Sequence, residues 1–304
     1  MSREALPHPH WQRTTPFLEA TTPAEEADQV IIGVPLDHTT SFRPGTREAP
    51  RRVRDVSDGI ESFSPMRGAA LEERRIADLG DLMLPWGDVR GALDIIEAAV
   101  HGALQGGRRP VIIGGEHLLT LGAVRAAVRR WPDLAVVQLD AHLDLRDEYA
   151  GLPLSHATVL RRVSELVGLE RLVQLGVRSG IREEWELWRR TWRVDGSLVE
   201  AARRLSRELR GRPFYLTIDI DVTDPAFAPG TGTPEPGGPS AGEVLEAVGL
   251  LASAGPVAVD LVEVCPVKDP SDITSLLAAK LLREVLVAGP AAPSRPGQER
   301  VERV

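Results

Sequence analysis

The stretch Val136-Val137-Gln138-Leu139-Asp140-Ala141-His142-Leu143-Asp144 is an apolar run of strand type that empties into two carboxylates and an imidazole, spaced two apart. Side chains two apart on an extended segment leave the same face. Asp140, His142 and Asp144 are therefore expected to converge at the carboxyl end of a strand, where open α/β sheets place their ligands. Phe214-Tyr215-Leu216-Thr217-Ile218-Asp219-Ile220-Asp221 has the same design, and Val111-Ile112-Ile113-Gly114-Gly115-Glu116-His117 ends another apolar strand on a histidine.

Four carboxylates buried at one spot repel one another, and desolvation costs several kcal/mol per ion. Divalent cations remove both penalties, since two of them set four positive charges against Asp140, Asp144, Asp219 and Asp221. Carboxylate with imidazole (His117, His142) and without thiolate favours manganese over a cysteine-type zinc or iron–sulfur site. Alone, Asp140 reads as a loop carboxylate and His117 as a satisfied core histidine. Six such residues at strand ends read as one metal site.

Composition narrows the class. The chain has 304 residues and 42% hydrophobic content, enough for a large core; α/β proteins of this length are commonly one domain. A net charge of -8, with 36 basic and 44 acidic residues, comes with no long basic block. That argues against nucleic acid, which needs a clustered cationic surface, and is compatible with a cationic small molecule. Cys265 is the only cysteine, which excludes a disulfide framework and a thiolate metal site. Between Val264 and Pro266 it reads as a small core residue beside a strand end. The polar N-terminus lacks an apolar signal region, and no apolar run is long enough to span a bilayer. The expectation is a soluble, cytoplasmic protein.

Residues 1–27 are rich in Pro, Thr and His without periodicity, so an irregular N-terminal segment is expected, then one domain over 28–288 and a flexible tail over 289–304. Strands are expected over 29–35, 76–83, 110–114, the opening motif, 172–177, a short stretch near 192–194, 214–221 and 257–264. Helices are expected after Asp88 to Gln105, closed by Gly106-Gly107, then over 118–130, 157–167 with Ser155 as N-cap, 181–190, 198–209, 240–252 and 272–287. The polar loop 36–47 follows a strand's carboxyl end and reads as a pocket rim, with His38 on it. His8, His10 and His101 read as solvated or packing residues, and Trp185, Trp188 and Trp192 as packing. His156 sits at the mouth, where a histidine exchanges protons near neutral pH. The stretch from Asp224 to Pro239 is too rich in Pro and Gly for a helix or strand and reads as a rigid wall. Strand and helix alternate about eight times, which implies a parallel sheet covered by helices on both faces.

Four motifs stand in order: Gly114-Gly115-Glu116-His117, Asp140-Ala141-His142-Leu143-Asp144, Ser155-His156-Ala157-Thr158 and Asp219-Ile220-Asp221, with the loop ending Gly230-Thr231-Gly232-Thr233-Pro234-Glu235. Together they resemble the arginase/agmatinase family of ureohydrolases, closest to its agmatinase branch, from the first strand to the last helix. The resemblance implies a three-layer α/β sandwich with a mostly parallel eight-stranded sheet and two Mn2+ per subunit. It places His117 and Asp144 on one cation, His142 and Asp221 on the other, and Asp140 and Asp219 between them. It also maps a proton-relaying histidine onto His156 and the carboxylate that pairs with the substrate guanidinium onto Glu263. Trimers or hexamers are common in the family, so a homo-oligomer is expected.

A delocalised guanidinium is a poor electrophile, and two metals about 3.5–4 Å apart answer this by lowering the pKa of a bound water from about 15.7 towards 7. Asp144 can aim that nucleophile, His156 can protonate the leaving amine, and Glu263 can hold the cation by a charge-assisted contact. Arginase-type enzymes carry an asparagine in the loop after the second aspartate; here Leu145-Arg146-Asp147-Glu148 stands there. Acids at the mouth favour a substrate ending in an ammonium, agmatine or N1-aminopropylagmatine, over arginine or a guanidino acid such as guanidinobutyrate, which Arg43, Arg47 or Arg146 would have to accommodate. A mononuclear zinc deacetylase of this fold, a dinuclear phosphoesterase and a non-catalytic pseudoenzyme are the rival classes. The complete six-ligand set disfavours the first and last, and the second would need a cationic or glycine-rich phosphate cradle, for which Gly114-Gly115 is only weak evidence.

Overall fold

The apolar runs become the strands of one large sheet. The computed structural model describes residues 9–289. Its first elements are β1 (Trp11–Gln12), β2 (Gln29–Val34), α1 (Ala49–Ser57), a hairpin of β3 (Phe63–Ser64) and β4 (Ala69–Ala70), and β5 (Ile76–Leu82). Next come α2 (Val89–Gln105), β6 (Arg109–Gly114), α3 (Leu119–Val128), β7 (Ala135–Leu139), α4 (Val159–Val167) and β8 (Leu172–Leu175). The chain ends through α5 (Arg182–Trp188), α6 (Leu198–Glu208), β9 (Phe214–Asp219), α7 (Ala241–Ala252), β10 (Ala258–Val262) and α8 (Ile273–Val287).

The strands lie in the order β1-β5-β2-β6-β10-β9-β7-β8, parallel except for the β1–β5 edge pair. Strand alternation divides the core in two. Ile31, Val111, Ile113, Val137, Leu216 and Ile218 pack beneath α1, α6, α7 and α8, whereas Val30, Ile32, Ile112 and Val136 pack beneath α2, α3 and α4. Both faces of the sheet are thus covered, as near-continuous apolar strands require, and the three-layer α/β sandwich is what the chain adopts. Among the described residues no helix is long and apolar enough to cross a membrane.

The eighth strand is not the expected one. Near Trp192 the chain makes one ladder-like bond, Trp192 N to Leu172 O at 2.9 Å, and then bends through Gly196 at φ 117° without forming a strand. The eighth strand is instead β1, at the opposite edge of the sheet and inside the stretch read as irregular; two residues are too few to show a period. The arginine-rich α1 and the small hairpin were not expected either: the buried face of α1, Ala49, Pro50, Val53, Arg54 and Ser57, has helical spacing but is built of small and polar residues with Val53 as its one branched apolar side chain. The expected tail falls almost wholly on 290–304, outside the described residues, as does His8.

Polar side chains complete the element ends. Asp88 accepts the Gly91 amide at 2.9 Å to start α2. The last carbonyls of α8 are met by Gln29 Nε2 on Leu286 O, Arg109 Nη2 on Val285 O and Arg74 Nε on Val287 O, donors where a helix leaves orphan acceptors and a negative dipole end. Arg54, 1% exposed, ties α1 to β5 through a bidentate contact to Asp78 at 2.8 and 2.9 Å and a third bond to Asp81. Removing a buried partner strands the other charge. Arg54→Met is expected to cost about 3–5 kcal/mol in denaturant unfolding, whereas Arg52→Met, which breaks a half-exposed pair with Asp272, costs under about 1 kcal/mol.

Candidate metal centre

The two aspartate motifs turn on themselves. β7 stops at Leu139 and β9 at Asp219, so the spacing of two does not act through strand alternation as expected. Instead Asp140 Oδ1 accepts the His142 amide at 2.6 Å, and Asp219 Oδ1 accepts the Asp221 amide at 2.9 Å. A short carboxylate that captures the N–H two residues on ends a strand and folds the chain over it. Asp221 then lies in a single 3₁₀ turn (220–222). Asp144 sits in the left-handed region at φ 52°, with its carbonyl accepting from Leu160 N and Arg161 N at 3.0 and 3.1 Å.

The third strand end arrives through its glycines. A Cβ on Gly115 would meet Leu36 O at 1.9 Å, so only glycine lets β6 pass beside the loop after β2. His117 N then donates to Glu263 Oε1 at 2.7 Å, and Glu263 N donates back to Gly115 O at 2.9 Å. Glu263 is itself left-handed at φ 64°, a conformation that costs of order 1–3 kcal/mol and gathers at functional sites.

The six candidate ligands come together. His117 Nδ1 lies 3.1 Å from Asp140 Oδ2, 3.1 Å from Asp144 Oδ2 and 3.3 Å from Asp219 Oδ2. His142 Nδ1 lies 2.9 Å from Asp221 Oδ2 and 3.6 Å from Asp140 Oδ1. Two triads able to hold a cation result, His117–Asp140–Asp219 and Asp140–His142–Asp221, with Asp140 common to both. His117 Nδ1 is buried and has no hydrogen-bond partner although three carboxylate oxygens surround it. Its other nitrogen is engaged by Thr217 Oγ1 at 2.9 Å. A bare imidazole lone pair among carboxylates is what a cation needs from this donor set, and the residues fit one.

The charges are unbalanced without it. Burial, then the neighbouring charge of Asp140, pushes Asp144 up to about 7, and burial with the charge of Asp221 drives Asp219 well above the carboxylate range. Burial also works against Asp140, but the two imidazoles outweigh it and hold that carboxyl low. Burial opposes charge on His142 as well, yet Asp221 and Asp140 hold it up at about 12.

The cluster opens into a cavity of about 280 Å³ whose walls include Ser41, Arg146, Tyr149, His156, Glu184, Thr233 and Glu263. His156 is held by its amide on Thr39 Oγ1 at 3.0 Å, by Ser41 Oγ at 3.2 Å from Nε2, and by the edge of Tyr149. Burial lowers it to about 4, so the ring is neutral at neutral pH. Burial and the Glu116 charge raise Glu263 to about 8, and among the described residues no donor reaches its Oε2.

Several supports went unread in the sequence. Glu116, fully buried, accepts from His38 N, Thr39 N, Thr39 Oγ1 and Thr40 Oγ1 and so fixes the rim that carries His156; its place beside His117 was the available signal. His38 lies on that rim and is not a ligand. Asp147 is turned away from the mouth onto Arg162 at 2.6 Å, and the acid lining the cavity there is Glu184, which accepts from Leu145 N and Ile181 N. The loop after β9 is pinned as a wall: Asp224 accepts the amides of Ala226, Gly237 and Gly238, and Thr233 Oγ1 reaches Asp221 Oδ2 at 3.3 Å.

Fold and site define the class, and comparison with known proteins agrees. Residues 27–288 match the arginase family, and the chain belongs to it. It is 44% identical over 278 residues to the agmatinase of Bacillus anthracis, covering 89% of this chain and 95% of that protein. It is 42% identical over 280 residues to the agmatinase of Bacillus subtilis, with the same coverage. The crystal structure of the agmatine ureohydrolase of Thermoplasma volcanium matches with a TM-score of 0.82 at 35% identity, over 91% of this chain and 94% of that one.

If the cluster holds cations, manganese at about 100 times its Kd stabilises the fold by about 2.7 kcal/mol. Thermal unfolding with manganese and then with chelator is expected to show that shift appear and vanish. Asp140→Asn is expected to abolish it, and Asp147→Asn to leave it intact.

Proposed function

We propose that the chain is a manganese-dependent agmatinase that hydrolyses agmatine to putrescine and urea, a step of polyamine biosynthesis leading towards spermidine. Two buried triads sharing Asp140 carry this reading. In it His117 and Asp144 would hold one Mn2+ and His142 and Asp221 the other, with Asp140 and Asp219 as the remaining ligands. The agmatinase relatives at 42–44% identity support the substrate. A cytoplasmic homo-oligomer, a trimer or hexamer, completes the proposal and rests on the family resemblance.

The cations, when bound, supply Lewis acidity that makes water a nucleophile near neutral pH. The chain's residues do the rest. Glu263, anchored through Oε1 on the His117 amide, offers Oε2 to the substrate guanidinium and holds its carbon over the cluster. Asp144 accepts a hydrogen bond from the attacking water and aims it. His156, neutral and oriented by Thr39 and Ser41, accepts a proton from the attacking water and returns it to the leaving nitrogen as the bond between the guanidino carbon and the nitrogen that carries the butyl chain breaks, giving urea and putrescine.

One observation favours a second reading. Arg146 is the only cation besides histidine among the described residues lining the cavity, and it would suit a guanidino acid. Its guanidinium is already committed to Glu184 at 3.6 Å and to the face of Tyr149, which leaves agmatine or its N1-aminopropyl derivative in front.

Urea release from agmatine, N1-aminopropylagmatine, guanidinobutyrate and arginine is the test. Agmatine is expected to show the highest kcat/KM; guanidinobutyrate in first place would overturn the choice. Asp219→Asn is expected to remove turnover together with metal retention. Glu263→Gln keeps the metal and lowers kcat/KM roughly 100-fold, the scale of losing a buried charge pair.

A further inference from the structure

We propose that Asp260, which lies beneath the cluster and outside the ligand set, is a positioning residue: it sets the direction of a buried hydrogen-bond chain that keeps His117 in its metal-binding tautomer. The inference rests on the metal reading above and extends it to residues that reading does not use.

Asp260 stands on β10 directly opposite Thr217 of β9 and is fully buried. Its Oδ2 accepts from Tyr215 Oη at 2.6 Å and from Thr120 Oγ1 at 2.7 Å, while its Oδ1 is buried without a donor. A buried carboxylate with an orphan oxygen is destabilising, and an apolar residue would fill this strand position at less cost. Fold stability alone does not account for it.

Counting protons along the chain shows what it does. Each hydroxyl has one proton to give. Tyr215 commits its proton to Asp260, and burial with the Asp260 charge keeps the phenol protonated. Thr120 commits its proton to Asp260 as well. The Thr120 oxygen, 3.4 Å from Thr217 Oγ1, is then left only to accept, and the Asp260 carboxylate opposite Thr217 is a second acceptor for its proton, so on either course the Thr217 proton points away from His117. The Thr217 oxygen in turn accepts from His117 Nε2 at 2.9 Å. With its proton on Nε2, His117 presents a bare Nδ1 to Asp140, Asp144 and Asp219. An acceptor-only group at the far end fixes every bond in between, as an outer carboxylate does for many metal-ligating histidines. Burial raises the Asp260 carboxyl, and its hydrogen bonds with Thr217, Tyr215 and Thr120 oppose the rise.

Asp260→Asn keeps the shape and adds two donors. The chain can then run backwards, with Thr217 donating to Nε2 and a proton moved to Nδ1. Thr217→Val removes the acceptor itself and covers the case in which the first variant fails to fold. The experiment is a manganese titration of the metal-free, full-length protein against a competing chelator, with 15N-histidine NMR of a sample loaded with diamagnetic magnesium and kcat and KM for agmatine. Both variants are expected to bind one of the two cations roughly 10–100-fold more weakly, to lower kcat with little change in KM, and to lose the Nε2-protonated signal of His117. Two cations at wild-type affinity in both variants, with His117 unchanged, would overturn the inference alone. A wild-type chain that binds no manganese would overturn the metal reading and this inference together.

Discussion

Mutual repulsion among Asp140, Asp144, Asp219 and Asp221 is the constraint on which the rest of the structure depends. Four carboxylates within reach of two imidazoles, nearly all of them buried, cannot all ionise in a low-dielectric site unless something positive sits among them. The fold does not relieve this strain; it tightens it. Two aspartates capture backbone amides of the motifs that follow them, Ala141 N donates to Asp221 Oδ1 at 3.1 Å, and Gln138 Nε2 donates to Asp140 Oδ2 at 2.6 Å. Each bond favours the charged carboxylate and holds it where a cation would meet it.

The sheet makes that arrangement rigid. β6, β10, β9 and β7 are neighbours in the middle of the sheet, and their carboxyl ends supply His117, Glu263, Asp219 and Asp140. Bonds between those ends, such as His117 N to Glu263 Oε1, stitch adjacent strands just past the last ladder pair. The proposed substrate anchor Glu263 and the candidate metal ligand His117 are thereby tied to one another. The rim is fastened to the same centre, because Glu116, next to His117 in the chain, gathers the amides and hydroxyls of residues 38–40 that carry His156.

Much of this was legible in the sequence. The apolar runs around Val137, Ile112, Ile218 and Val259 gave both strands and their carboxyl ends, and the six candidate ligands stood out because their residue types are costly to bury. What could not be read has a physical reason in each case. β1 is too short for a period to appear. The stretch near Trp192 has strand-like residues but only one backbone partner. The spacing of two in Asp140/His142 and Asp219/Asp221 was read as strand alternation, yet it is also the reach of an aspartate to the second amide after it, and a sequence does not distinguish these. The acids expected at the mouth, Asp147 and Glu148, do not line the cavity and Glu184 does, because that choice is made by tertiary contacts, Arg162 drawing Asp147 out and the amides of Leu145 and Ile181 fixing Glu184.

Anomalous diffraction from crystals grown with manganese tests the central claim most directly. Two manganese peaks per chain are predicted, one on His117 Nδ1 and one on His142 Nδ1, with Asp140 contacting both. A single peak, or density on neither histidine, would contradict the account.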